Sequence, residues 1–328
     1  MDIGTSMTRV ALASDGVVFN EPTSVAIDTR SGAVVEVGYG ALDLVARTSR
    51  HVVVFRPLAQ GATVDFDVTA RLVSGLFERV GLSRLSRARV VMSVPSLATA
   101  IERRALRQAA IQAGAREVSL IEAPLAAGIG LGLPVQDPVG SAVAVLGGGA
   151  SEATLLSLGG IVTSATRRQG GSDIDLAIAS LARHRFGVVI APTVIESLKI
   201  ALGSAKGATR GLSEVVRCRT VDTGDVIEVD IGADLVNVAL HDVVHAAVAM
   251  IEDSLSGAPP DLSQDVSARG LTLVGGQARM ADLAELVAER TGVTVMVADQ
   301  PDLVIIKGLQ LCLEEMSSLH ALFRDADR

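Results

Sequence analysis

Three short segments of this chain combine small residues with hydroxyl and carboxylate groups in a way that suits an anion. They are Asp2-Ile3-Gly4-Thr5-Ser6, Leu146-Gly147-Gly148-Gly149-Ala150-Ser151 and Val274-Gly275-Gly276-Gln277. Small residues in a tight turn let successive backbone N–H groups point at one place, forming a nest for phosphate oxygens. Thr5 and Ser151 add hydroxyl donors. Neither GxxxxGK[ST] nor GxGxxG occurs, so the P-loop and dinucleotide mechanisms are not indicated. Glu196 and Lys199 lie three apart on one helix face, where alone they read as a solvated ion pair. Glu152, directly after the second turn, is the spare carboxylate nearby.

The elements around these turns alternate. Short strands are expected at Val34–Val37, Val52–Phe55, Val90–Val94 and Glu117–Ile121, with helices over Ala70–Val80 and Glu102–Ala113, the latter ended by Gly114. A second series follows: a strand at Ser141–Leu146 returning at Thr154–Ser157, helices over Asp173–Phe186 and Thr193–Leu202, a polar hairpin over Val215–Val229 and a long helix at Leu235–Leu255. Strands at Leu271–Val274 and Val293–Val297 and a last helix near Val304–Glu315 complete it. Such alternation implies βαβ units and a largely parallel sheet. Ser256–Ser263, with glycine and two prolines, reads as a surface loop. The order strand, glycine turn, hairpin, helices occurs twice, and duplicated α/β lobes place a ligand in the cleft between them.

Composition narrows the function classes. The 328 residues suffice for about two domains, and the net charge of -8 lacks the basic face of a nucleic-acid binder. Aromatic residues make up 2% and there is no Trp, so stacking platforms for bases are not expected. Cys218 and Cys312 stand far apart, which argues against disulfide or zinc frameworks. His241 and His245 share a helix face but lack a third ligand. No charged-then-apolar leader opens the chain and no uninterrupted run of about 18 apolar residues occurs, so a cytoplasmic location with at most peripheral membrane contact is expected.

The arrangement of the three turns resembles the actin-fold superfamily, and within it the chain resembles MreB-type proteins nearly end to end. The segments that carry the resemblance include Glu21-Pro22-Thr23-Ser24-Val25-Ala26, Arg56-Pro57-Leu58, Val94-Pro95-Ser96 and Ala113-Gly114-Ala115-Arg116-Glu117-Val118. Gly130-Leu131-Gly132-Leu133-Pro134, Ser157 to Ser164 and Gly203-Ser204-Ala205 continue it. The resemblance implies an α/β, actin-like (ribonuclease H-like, duplicated) fold with a nucleotide cleft. Lobe I would comprise 1–133 plus 303–328, with a small subdomain at 19–56. Lobe II would comprise 134–302, with one at 166–230. It implies ATP and Mg2+ as ligands, Asp2 and Gly4–Ser6 as the first phosphate loop and Gly147–Gly149 as the second. Glu196 and Lys199 would lie against adenine and ribose, Gly275 and Gly276 near the nucleoside, and Asp2 would reach the metal through water.

Several positions depart from that pattern. Ala123, before Pro124, stands where a carboxylate would position the attacking water. Val145 stands where an aspartate would help hold magnesium. Together these predict impaired hydrolysis, since positioning and charge stabilisation are nearly all that a phosphoryl-transfer enzyme supplies. Glu122 is next to Ala123 but points to the opposite face of an extended segment. Almost no apolar strand precedes Asp2, so either an upstream start or a weakly anchored first loop is expected. Ser172, Ala201, Ile200 and Gln277 are further departures.

The resemblance also implies self-association into filaments, partners in cell-wall synthesis and membrane morphogenesis, and a role in cell shape. A loop at Gly81–Arg87 offers Leu82 and Leu85, flanked by Arg84, Arg87 and Arg89, to the inner membrane face. An active slow ATPase using Glu152 and a nucleotide-free scaffold are the alternatives. A chaperone lacks its peptide-binding domain here, and a sugar kinase lacks its catalytic aspartate.

Overall fold

The computed structural model describes residues 1–45, 51–82, 88–207 and 211–314. In the first lobe, β1 (Asp2–Ile3), β2 (Met7–Leu12) and β3 (Gly16–Pro22) form an antiparallel sheet. β4 (Val25–Asp28), β5 (Val34–Val37) and β6 (Val52–Phe55) form a second in the order β5-β4-β6, with α1 (Tyr39–Val45) against it. A tight hairpin, β7 (Leu58–Ala59) and β8 (Ala62–Thr63), leads into α2 (Phe66–Arg79). β9 (Arg89–Val94) and β10 (Glu117–Glu122) pair in parallel through α3 (Ala100–Ala113), and α4 (Ala123–Gly130) follows. The α3 boundaries follow from local chemistry. Thr99 and Glu102 form a reciprocal capping box, and Gly114 ends the helix in the left-handed conformation.

The second lobe is organised on β11 (Ser141–Leu146), β12 (Ser151–Ser157) and β13 (Gly160–Arg167). Helices α5 (Gly171–Phe186) and α6 (Pro192–Leu202) flank the two-residue strand β14 (Val188–Val189). β14 pairs with the hairpin β15 (Ser213–Thr220) and β16 (Val226–Gly232). Then come α7 (Ala233–Ser256), α8 (Pro260–Arg269), β17 (Leu271–Val274), α9 (Leu283–Thr291), β18 (Val295–Val297) and α10 (Val304–Glu314). The main sheet runs β13-β12-β11-β17-β18.

Two expectations change. The sheets are mixed rather than largely parallel: only β9–β10, β11–β17 and β17–β18 run parallel among the described strands. Each lobe opens with an antiparallel meander, because the phosphate turns are hairpin turns and not crossovers. Ser256–Ser263 is also not wholly a loop, since Pro260 begins α8, its fixed φ suiting a first helical turn.

Apolar periodicity builds one core in each lobe, around Leu72, Leu76, Met92 and Leu120 in the first and Ile174, Ile178, Leu198 and Met250 in the second. α7 is long and apolar enough to cross a membrane, but half of its apolar stretch is buried inside the second core. A third core lies between the lobes. It joins Val91, Ile121 and Ala123 to Val143, Val145 and Val274 and to Val304, Ile306 and Cys312. There α10 packs on α4. Gly308 and Gly130 permit the contact, because a Cβ on either would overlap backbone of the other helix.

Candidate functional site

The first two glycine turns meet face to face. A Cβ on Gly148 would overlap the Ser6 side chain, and one on Gly149 would overlap that of Thr5. The first turn is held from behind. Thr23 donates its hydroxyl to the Gly4 carbonyl at 2.6 Å, and its N–H to Ser6 O at 2.9 Å. β1 is only two residues long, yet Ser93 N–H donates to Met1 O at 3.2 Å and Ser93 Oγ to Asp2 Oδ1 at 2.7 Å. These bonds tie the turn to β9, so the weak anchoring expected from so short a strand is not what the structure has.

The second turn is held by α5. The N–H groups of Gly171 and Ser172 donate to the carbonyls of Gly147 and Gly148 at 3.2 and 2.7 Å. Gln277 Nε2 donates to Gly147 O at 2.5 Å, joining the third turn to the second. Gly275 takes a φ of 90°, and a Cβ there would overlap the Leu146 carbonyl, so glycine is required. Gly276 faces open space.

What these turns leave unpaired is chemically informative. The backbone N–H groups of Thr5, Ser6, Gly148 and Gly149 make no hydrogen bond to protein among the described residues, although Gly149 is buried. Buried N–H groups are nearly always paired, which marks Gly149; the part-exposed donors of Thr5, Ser6 and Gly148 stand beside it in two facing turns, a nest that fits an anion such as a polyphosphate. Lys199 completes one wall. Its ammonium lies 2.7 Å from Asp175 Oδ1, 2.8 Å from Glu196 Oε2 and 3.3 Å from the Gly171 carbonyl. Burial pushes the Asp175 carboxyl above its ordinary range, with Lys199 opposing the push and Glu196 adding to it.

Ser151 has protein partners of its own. Its buried hydroxyl donates to the Gln169 carbonyl at 3.1 Å, because Ser151 already belongs to β12 and pairs with Arg167. Glu152 faces the first lobe rather than the turns, accepting the Ser96 N–H at 2.8 Å. Burial raises its carboxyl well above the ordinary value; the Ser96 bonds and Arg103 oppose this and Glu122 adds to it.

The fit for magnesium differs from the fit for a nucleotide. Asp2 is the one carboxylate at the first turn, and it already accepts from Ser93 and faces Arg9 at 3.8 Å. No group of three or more metal-ligating side chains occurs among the described residues. Arg9 and Asp302, which the sequence reading missed, meet beneath the turns at 3.5 Å. Asp302 also pairs with Arg279 at 2.5 Å. Nothing local in the sequence signals this, since Arg9 and Asp302 are 293 positions apart.

The same two-turn geometry and its supporting elements agree with a known family. The profile described as MreB/Mbl protein matches residues 1–321. The chain belongs to the MreB/Mbl family. Among curated relatives, the cell shape-determining protein MreB of Escherichia coli K12 is 36% identical over 326 residues, covering 98% of this chain and 94% of that protein. The cell shape-determining protein Mbl of Bacillus subtilis is 31% identical over 320 residues, covering 97% and 96%. Among solved structures, MreB5 of Spiroplasma citri bound to AMPPNP superposes with a TM-score of 0.87 at 24% identity, covering 98% of this chain and 96% of that one. The MamK double helical filament gives 0.80 at 18%, covering 96% and 97%. These two likenesses establish the actin-like fold.

Relative to the MreB/Mbl pattern, Ala123 and Val145 are packed into the core between the lobes, 9% and 7% exposed. The neighbouring Glu122 carboxylate is held by Arg103 at 2.8 Å. Leu82 packs against the first core, while Leu85 lies outside the described residues.

Proposed function

We propose that this chain is a cell shape-determining filament subunit in which a nucleoside triphosphate acts as a ligand that closes the two lobes, with little turnover. The observation that supports this most directly is the set of four free N–H groups in the facing turns Gly4–Ser6 and Gly147–Gly149. The MreB5 structures contain ADP and AMPPNP, and MamK forms a double helical filament, which gives the reading its precedent. The proposed moving bodies are 1–133 with 303–328 and 134–302. Gly4, Thr5, Ser6, Gly147, Gly148 and Gly149 would hold phosphates, with Glu196, Lys199, Gly275 and Gly276 beside the nucleoside.

Filaments at the inner face of the plasma membrane, recruiting cell-wall synthesis proteins, extend the proposal. Leu82 spends apolar surface on the core, so any lipid contact would be weak. Sedimentation with ATP over anionic lipid tests the filament reading: pelleting and filaments by electron microscopy are expected, and a protein that stays monomeric sinks it.

A second reading, a slow ATPase, is favoured by one observation. Glu152 is a buried carboxylate with a raised proton affinity close to Arg103 and Glu122. Phosphate release that falls with Glu152→Gln supports it, and release that survives the change counts against it.

A further inference from the structure

Charged groups on β1, β2 and the segment before α10 form a ladder. Asp2 and Arg9 are cross-strand partners in β1 and β2, and Asp302 follows Pro301, whose carbonyl accepts the Gly275 N–H at 2.8 Å. Arg9 therefore stands between the first and third turns. It lies 3.8 Å from Asp2 Oδ2 and 3.5 Å from Asp302 Oδ2, with its side chain 12% exposed. Both separations exceed the roughly 2.7–2.9 Å of a charge-assisted hydrogen bond. Its Nε is buried and makes no hydrogen bond. Nε is sealed from solvent, so the donors open to a ligand are those of the two terminal nitrogens, which meet Asp2 and Asp302 only at long range and whose planar fork matches phosphate oxygens.

The provision for a divalent cation is correspondingly thin. Asp2 is shared with Ser93 and Arg9, and the second turn contributes the apolar Val145 in place of a carboxylate. A dication beside Asp2 would sit within a few ångströms of the Arg9 charge, in a partly dry cleft where like charges repel strongly.

We infer that Arg9 supplies the counter-charge to the nucleotide phosphates, so that this chain binds nucleoside di- and triphosphates without magnesium. The inference rests on the nucleotide reading above and removes the metal from it. Fixing the cation covalently near the phosphates leaves the four free N–H groups to set orientation.

Calorimetric titration of ADP into the whole chain tests this, once in magnesium and once in excess chelator. Wild-type dissociation constants in the two buffers should agree within about threefold. Arg9→Ala should weaken binding in chelator by about tenfold or more, the loss of one or more charge-assisted contacts, and should restore a dependence on magnesium. Arg9→Lys, which keeps the charge without the fork, should fall between. Wild-type affinity that collapses on chelation overturns the inference and leaves the nucleotide reading standing, as does an Arg9→Ala protein with unchanged affinity. Absence of ADP binding in both buffers sinks the nucleotide reading as well. Melting curves report whether each variant folds, and if Arg9→Ala does not, the two-buffer comparison on the wild type still decides.

Discussion

Glu152 on β12 of the second lobe accepts the backbone N–H of Ser96 on the first at 2.8 Å, and its side chain is almost wholly removed from solvent. The lobes are thus joined near the cleft by a carboxylate that burial disfavours in its charged form. Its folded proton affinity is raised, so the folded chain holds this proton over a pH range in which the unfolded chain has lost it. Stability from Glu152 is therefore fully present below the ordinary glutamate value and declines as pH rises through the raised one.

Replacing it should expose that dependence. Glu152→Gln keeps an oxygen for Ser96 but removes the buried charge. We expect a melting temperature at neutral pH higher by about 1–2 °C, since about 1 kcal/mol shifts a chain longer than 250 residues by less than the roughly 2–4 °C of smaller ones, and a flatter profile from acid to neutral pH. Scanning calorimetry across pH measures both. A variant with the wild-type slope would locate the dependence elsewhere.

The glycines of the two facing turns should behave differently from that of the third. Gly148→Ala and Gly149→Ala push a methyl into Ser6 and Thr5, and should reduce nucleotide affinity by about tenfold or more by forcing the turns apart. Gly276→Ala enters open space, so its melting temperature should match the wild type, while affinity falls if the nucleoside lies there. Thermal melts and fluorescent-nucleotide titrations separate the two effects.

Restoring the missing carboxylate should restore chemistry. Ala123→Glu places an acid at the start of α4, beside Glu122, in a position now packed into the core between the lobes. Phosphate release should rise by about a hundredfold over the parent if water positioning is what is missing. Stability should fall, because a carboxylate enters apolar surroundings. Single-turnover release with labelled ATP reads the first, and urea denaturation the second.

A surface contact also bridges the lobes. Arg168, just beyond β13, meets Glu102 of α3 at 3.1 Å, with the arginine side chain 48% exposed. Arg168→Ala should cost only about 0.2–1 kcal/mol of closure, and less in high salt. Small-angle scattering of nucleotide-free protein should show a slightly larger radius, and identical curves would show that the buried contacts alone set the closed form.

The sequence by itself determined the local parts. Glycine spacing marked all three turns, apolar periodicity marked most strands and helices, and Thr99, Glu102 and Gly114 fixed both ends of α3, because backbone sterics and capping act within a few residues. Absence of a carboxylate at Ala123 and Val145 was equally legible. Tertiary structure alone decided what those parts face. It bonded Ser151 to the Gln169 carbonyl, aimed Glu152 across the cleft at Ser96, and joined Gln277 to Gly147 over 130 positions. It also brought Arg9 against Asp302 beneath the phosphate turns. These contacts depend on where two lobes close on each other, and that geometry is set by packing in the shared core of α4, α10 and the central strands. No local propensity encodes it.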